Sequence, residues 1–64
     1  MTEYQEALVK VIDGMDDTSA IKKLDEIEFM IQMKDHWSIS DTQRVDACTW
    51  LKKQIKEGKR DDIR

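Results

Sequence analysis

The chain has 64 residues, carries a formal net charge of −3 and is 39% charged. A chain near this length buries only about 60% of the surface of its unfolded form, so we expect a single domain, residues 1–64, of marginal stability. Cys48 is the only cysteine, which excludes an internal disulfide and favours a reducing compartment. The chain starts without a signal-peptide pattern, and no apolar run approaches the roughly 18 residues of a membrane span. These features predict a cytoplasmic protein without membrane contact.

Charge is unevenly distributed along the chain. Residues 1–17 contain five acids and one base, a net charge of −4, whereas residues 38–64 contain five acids and seven bases, a net charge of +2. Solvated helix faces account for these charges in the simplest interpretation. The alternative is that one end of the protein steers a charged partner towards it.

The first of three predicted helices is bounded by a cap and a glycine. Gly14 and Gly58 are the only glycines, and glycine is favoured just beyond a helix C-terminus. The first helix should span residues 3–13, with Thr2 as N-cap and Gln5 completing a capping box. One arc of this helix is apolar and should pack on the rest of the protein: Tyr4, Ala7, Leu8, Val11, Ile12 and Met15.

The second predicted helix spans residues 19–36. Asp17 or Thr18 should cap it, since both side chains accept hydrogen bonds from helix N-terminal amides. Its core face repeats at helical spacing and comprises Ala20, Leu24, Ile27 and Ile31.

The third predicted helix spans residues 41–57, because Ser40 and Gln43 have the spacing of a capping box and Gly58 follows. Residues 58–64 are expected to fray. A short connection makes the second and third helices antiparallel neighbours. The expected fold is all-α, a three-helix domain built on an antiparallel αα-hairpin. The core stripe of the third helix comprises Ala47, Cys48, Leu51 and Ile55.

Few residues could support catalysis or metal binding. His36 is the only histidine, and Cys48 lies on the predicted core stripe, where a free cysteine behaves as a small hydrophobic residue. Zinc sites usually take four ligands, whereas this chain has one cysteine and one histidine. The acids of residues 13–17 lack the ligand spacing of a calcium loop. We therefore expect no catalytic, cofactor or metal site, and no enzyme.

Apolar residues on the second helix extend beyond its core face. Phe29, Met30, Met33 and Trp37 fall beside that face, and Trp50 lies off the core stripe of the third helix. A helix that is apolar over about half its circumference needs neighbours on two sides. Either the first helix covers these residues, or they stay open as an interface, where tryptophan and methionine are enriched. These five residues are the predicted protein-binding surface.

Three functional hypotheses follow. The first is a small non-catalytic protein-binding module: a regulator, inhibitor or assembly factor that uses the methionine and aromatic residues, with acids of the first helix at the rim. The size, acidity and predicted helix content of this chain are typical of accessory proteins of bacteriophages and mobile elements, although no motif supports that origin. The second is a homodimer in which the same residues pair. The third and least favoured is nucleic-acid binding, because the chain is acidic overall. Its candidate residues are Arg44, Lys52, Lys53, Lys56, Lys59 and Arg60.

Overall fold

Three α-helices follow one another along the chain. The computed structural model describes residues 1–63, with α1 (Glu3–Val11), α2 (Asp17–Gln32), α3 (Ile39–Lys56) and a short 3-10 helix (Arg60–Ile63). No β-strand occurs in these residues, and the predicted all-α, three-helix fold is confirmed. Within the same span, no helix is both long and apolar enough to cross a membrane.

The predicted capping box opens α1. The Thr2 hydroxyl accepts a hydrogen bond from the Gln5 amide at 3.1 Å, and the Gln5 side-chain oxygen accepts one from the Thr2 amide at 2.9 Å. The helix ends at Val11, earlier than predicted, with Ile12 as its C-cap. Gly14 then adopts the left-handed region at φ 83°, and the resulting turn leads into α2.

α2 begins earlier than predicted because Asp16, rather than Asp17 or Thr18, is its N-cap. Asp16 Oδ1 accepts a hydrogen bond from the Ser19 amide at 2.7 Å. Hydrogen bonds from Ser19 hold the pKa of Asp16 below its usual 3.8.

The connection between α2 and α3 differs most from the prediction. α2 stops at Gln32, well short of residue 36, and α3 starts at Ile39. The cause is a capping box of Ser38 and Asp41 in place of the predicted box at Ser40. The Ser38 hydroxyl accepts from the Asp41 amide at 3.1 Å, and Asp41 Oδ2 accepts from the Ser38 amide at 3.1 Å. The connection is therefore residues 33–38.

α3 is the central helix, with α1 and α2 packed against it. Lys34, just after α2, pairs with Asp41 near the start of α3, whereas Asp25 and Glu28 pair with Lys52 farther along α3. The first pair lies at the connection, and the residues of the other two pairs lie farther from it on both helices. α2 and α3 therefore run antiparallel.

α1 runs in the same direction as α3. Tyr4, near the start of α1, donates a hydrogen bond to Ser40, near the start of α3. Farther along, Ile12 and Leu51 line the same small cavity. α1 therefore covers α3 and leaves the outer side of α2 open.

The core lies among the three helices. The predicted faces of α2 and α3 are largely confirmed, although Ile27 is only half-buried. On α1 the buried arc is narrower than predicted: Val11 is 43% exposed and Ala7 is exposed, while Val9 packs against the core. The central buried cluster comprises Leu8, Ile12, Ala20, Leu24, Ala47, Cys48, Leu51 and Ile55.

The end of the chain differs from the frayed tail expected from sequence. The Arg60 guanidinium donates hydrogen bonds to the Ile12 carbonyl at 2.8 Å and to Asp17 Oδ1 at 2.9 Å. Ile63 packs against the core. The 3-10 helix is thus tied to α1 and α2, and Arg64 lies outside the described residues.

Candidate protein-binding surface

Large apolar side chains are exposed at the end of α2, in the connection and at the first residue of α3. The exposed fractions are 61% for Phe29, 71% for Met30, 69% for Met33, 44% for Trp37 and 81% for Ile39. Phe29 and Met30 precede Met33 at the i−4 and i−3 spacings, which makes these three side chains neighbours on the helix surface. We use the name apolar patch for these five exposed residues, which share the end of the molecule where α2 joins α3.

The helical register of α2 explains why the patch is exposed. Ala20, Leu24 and Ile31 form the buried face of this helix. At roughly 100° per residue, Phe29 and Met33 point about 160° away from that face, so they lie on the opposite side of α2 and not beside the core face as predicted. α1 packs on α3, so no helix among residues 1–63 covers the outer side of α2. The choice that the sequence left between a covered and an open surface is decided in favour of an open one.

Helix capping does not account for an apolar side chain at Trp37. It precedes the N-cap Ser38, a position from which an apolar residue often packs against the fourth residue of the helix as a hydrophobic staple. That fourth residue is Thr42, which is polar and exposed. Without a staple partner, Trp37 remains available as part of the patch.

Ile39 is the patch residue that the sequence analysis missed, because it falls in the predicted connection rather than on a helical face. It is the first residue of α3. One signal in the sequence could have identified it as exposed. Ile39 lies between two serines, close to Trp37 in the chain, and has no apolar partner at helical spacing on the α3 core stripe.

Trp50 lies apart from the other four predicted residues. It is half-buried and packs against the core cluster. It is also about 16 Å from Ile39 along α3, at 1.5 Å per residue. Phe29, Met30 and Met33 at the end of α2 and Trp37 in the connection thus lie at the end of the molecule where α2 joins α3, and Trp50 does not.

A shallow groove between α2 and α3 adjoins the patch and shares Met30 with it. The Lys34 and Arg44 side chains are 52% and 51% exposed, whereas the Asp41 side chain between them is 5% exposed. The groove has an apolar floor and a charged rim, and its lining comprises Ile27, Met30, Ile31, Lys34, Asp41 and Arg44.

Asp41 holds the charged rim in place. Its Oδ1 accepts a hydrogen bond from Lys34 Nζ at 3.0 Å and lies 3.6 Å from an Arg44 nitrogen. The hydrogen bond from the Ser38 amide, followed by that from Lys34, keeps the pKa of Asp41 below its usual 3.8. Two cations therefore share one buried carboxylate.

Arg44 is oriented by α1. Its guanidinium carbon lies 5.7 Å from the centre of the Tyr4 ring, within the range of a cation–π interaction. The Tyr4 hydroxyl donates a hydrogen bond to Ser40 Oγ at 2.9 Å, which fixes the ring. Across residues 1–63 the Arg44 guanidinium makes no hydrogen bond, and its ion pair with Asp41 at 3.6 Å is loose, so donors remain available at the groove rim.

The basic residues of the last third do not form one open surface. The best-paired is Lys52, which lies 2.8 Å from Asp25 Oδ1 and 2.9 Å from Glu28 Oε1. The hydrogen bond with Asp25 is the main cause that raises the pKa of Lys52. Lys53 and Lys56 are exposed on the last turns of α3. Within residues 1–63, four of the six cations are ion-paired: Arg44 with Asp41, Lys52 with Asp25 and Glu28, Lys59 with Glu57, and Arg60 with Asp17.

Cys48 is fully buried, as the core stripe predicts. Burial, with a smaller contribution from the negative charge of Glu28, raises its pKa to about 11, so the thiol is protonated at neutral pH. His36 is exposed in the connection. In the described part of the chain, no group of three or more histidine, cysteine or acidic residues is placed to hold a metal ion.

Comparisons of this chain with protein-family models, curated protein sequences and solved structures give no match. Its function is therefore inferred from its own surface. The apolar patch, the adjoining groove and the charged network around Asp41 are the features on which that inference rests.

Proposed function

We propose that this protein is a small protein-binding module that regulates, inhibits or helps to assemble another protein through the apolar patch. The observation that carries the proposal is the exposure of Phe29, Met30, Met33 and Ile39, each between 61% and 81% exposed. Burying such side chains contributes about 25 cal/mol for each Å² of apolar surface removed from water. The patch therefore gains free energy when a partner covers it.

The composition of the patch supports an interface rather than an incomplete core. Methionine has a flexible, polarisable side chain that adapts to a partner surface, and aromatic residues dominate the binding energy of many interfaces. Met30 and Met33 lie beside Phe29 at the end of α2, and Trp37 follows Met33 by four residues in the connection. The buried cluster among the helices is complete without any of them.

A lysine substitution in the patch tests the proposal. We expect Met33→Lys to abolish co-purification of the partner from a lysate of the source organism, because a lysine in the centre of an interface loses its hydration. The matched control is Val11→Lys. Val11 is 43% exposed outside the patch and ends α1, just as Met33 forms the C-cap of α2.

Both variants place a cation at a helix C-terminus, which suits the helix dipole, so both should fold. Circular dichroism and thermal melts check this. If every protein that co-purifies with the wild type is also retained by folded Met33→Lys, the patch is not the binding surface and the proposal is wrong.

Two alternative functions use other features of the surface. Self-association would bury the same patch against a second copy, and its signature is a concentration-dependent melting temperature. Nucleic-acid binding would need the basic last third. The ion pairs of Lys52 and Arg60 with acids of α2 weigh against that use, because those cations are already partly neutralised.

A further inference from the structure

We infer that the partner segment is an amphipathic helix that places an apolar side chain in the groove beside Met30 and a carboxylate against Arg44 and Lys34. The inference rests on the proposed protein-binding function and adds the chemistry of the segment that is bound. It commits to an acidic apolar helix of another protein as the occupant of the groove.

The groove offers an apolar surface on which one face of a helix can lie. It lies between two antiparallel helices and has a volume of about 350 Å³. An amphipathic helix binds such a groove by laying its apolar face on the floor, here formed by Ile27, Met30 and Ile31. Met30 also belongs to the patch, so a helix on the groove floor continues across the exposed end of α2.

The charge of the rim selects an acidic segment. The whole chain has a net charge of −3, yet the groove is lined by two cations, Lys34 and Arg44, and one acid, Asp41. Asp41 is buried between them, whereas the two cations are half exposed. The accessible charge of the lining residues is therefore positive, and the exposed acid Glu26, one turn before Met30 on α2, does not belong to that lining. Asp35 lies in the connection and is exposed, but it does not line the groove.

Arg44 is prepared to bind a carboxylate. A guanidinium carries five donors in a planar fork that matches the two oxygens of a carboxylate. The Tyr4 ring, which is hydrogen-bonded to Ser40, lies against this side chain, and the contact of Arg44 with Asp41 is a loose ion pair of 3.6 Å that leaves donors for a further carboxylate. Such an oriented donor loses little conformational freedom when it binds, which increases the affinity gained for each contact.

Two designed amphipathic peptides of equal length and identical apolar faces test the inference. One carries glutamates beside its apolar face and the other carries lysines. In an NMR titration of the full chain, we expect the acidic peptide to shift the signals of Ile27, Met30, Ile31 and Arg44. It should bind at least about tenfold more tightly than the basic peptide, because it alone forms the charge-assisted pair.

Two matched variants locate the effect. Arg44→Gln should remove most of the preference for the acidic peptide, and Lys34→Gln should reduce it. Lys53→Gln makes the same charge change at an exposed position elsewhere on α3 and should leave the preference intact. Thermal melts of each variant confirm that it is folded before binding is compared.

Every other outcome overturns the inference in a distinguishable way. Equal binding of both peptides at the groove would show that the groove does not recognise a carboxylate on the bound segment. The proposed protein-binding function would still stand. Shifts confined to Lys52, Lys53 and Lys56 would show general attraction to basic residues instead of groove binding. A stable dimer with these groove signals protected would identify a second copy as the occupant. Failure of the proposed function would be seen in the separate co-purification experiment, in which folded Met33→Lys would still retain the partner.

Discussion

Asp41 is 4% exposed, which is unusual for a charged side chain in a protein this small. Burying a carboxylate is unfavourable unless it is paired and hydrogen-bonded. Asp41 meets that requirement from three directions: the Ser38 amide, Lys34 and, more loosely, Arg44. Asp41 completes the capping box at the start of α3 and also supports the rim of the groove. Structure and proposed binding therefore depend on the same carboxylate.

Asp41→Asn tests the role of this charge through the pH dependence of stability. Because the folded-state pKa of Asp41 is lowered, its stabilising contribution is fully present above the unfolded value of 3.8 and is lost as pH falls through the lower folded value. We expect Asp41→Asn to lower the melting temperature at pH 7 and to flatten its decline below about pH 4.

The control for this experiment is Asp46→Asn. Asp46 is an exposed acid in the middle of α3, and its substitution should leave the melting temperature close to that of the wild type at neutral pH. Melting curves of equal slope below pH 4 for the wild type and Asp41→Asn would contradict the assignment to Asp41.

At the scale of the helices, caps and turns decide the boundaries. Ser38 and Ser40 could both cap α3, and Ser38 does so because Asp41 accepts hydrogen bonds from the Ser38 amide and from Lys34. At the end of α1, Gly14 reverses the local backbone with φ 83°. No atom lies within 4 Å of where its Cβ would be, so this glycine is required by its backbone conformation and not by crowding.

Gly14→Ala measures the strain of that turn. A left-handed conformation costs an L-residue about 1–2 kcal/mol, which for a domain of this size lowers the melting temperature by roughly 5–10 °C. Asp13→Ala is the matched control, since Asp13 is exposed and has no positive φ. Equal melting temperatures for the two variants would show that the turn stores no such strain.

At the scale of the whole molecule, the order of packing leaves the apolar patch exposed. α3 lies between α1 and α2, so each outer helix buries only one side. On α1 the opposite side is mainly polar, whereas on α2 it carries Phe29, Met30 and Met33. The molecule is therefore asymmetric, with its exposed apolar surface concentrated at the end where α2 joins α3.

If this surface serves another protein, the isolated chain is a monomer. We expect light scattering after size exclusion to give a mass near 7.6 kDa over a wide range of loading concentrations. The melting temperature should likewise not depend on concentration. A mass that doubles as concentration rises, and that falls back to the monomer value in Met33→Lys, would assign the patch to self-association instead.

Much of the patch could be predicted from sequence because helical periodicity reports which residues share a face. Phe29, Met30 and Met33 depart from the core stripe of α2 by fixed angles, and those angles do not depend on the rest of the fold. Trp50 shows the limit of this reasoning. Its angle places it off the α3 stripe, yet α3 is packed on two sides, so the ring is half-buried.

The amino-acid sequence by itself determined the three helices, the Thr2 capping box, the glycine stops and the core stripes of α2 and α3, because these depend on interactions between residues near in the chain. Only the tertiary structure decided which helix covers which. It places α1 on α3, ties Arg60 to Ile12 and Asp17, and joins Lys34 and Arg44 around Asp41. These contacts join distant parts of the chain, and no local pattern specifies them.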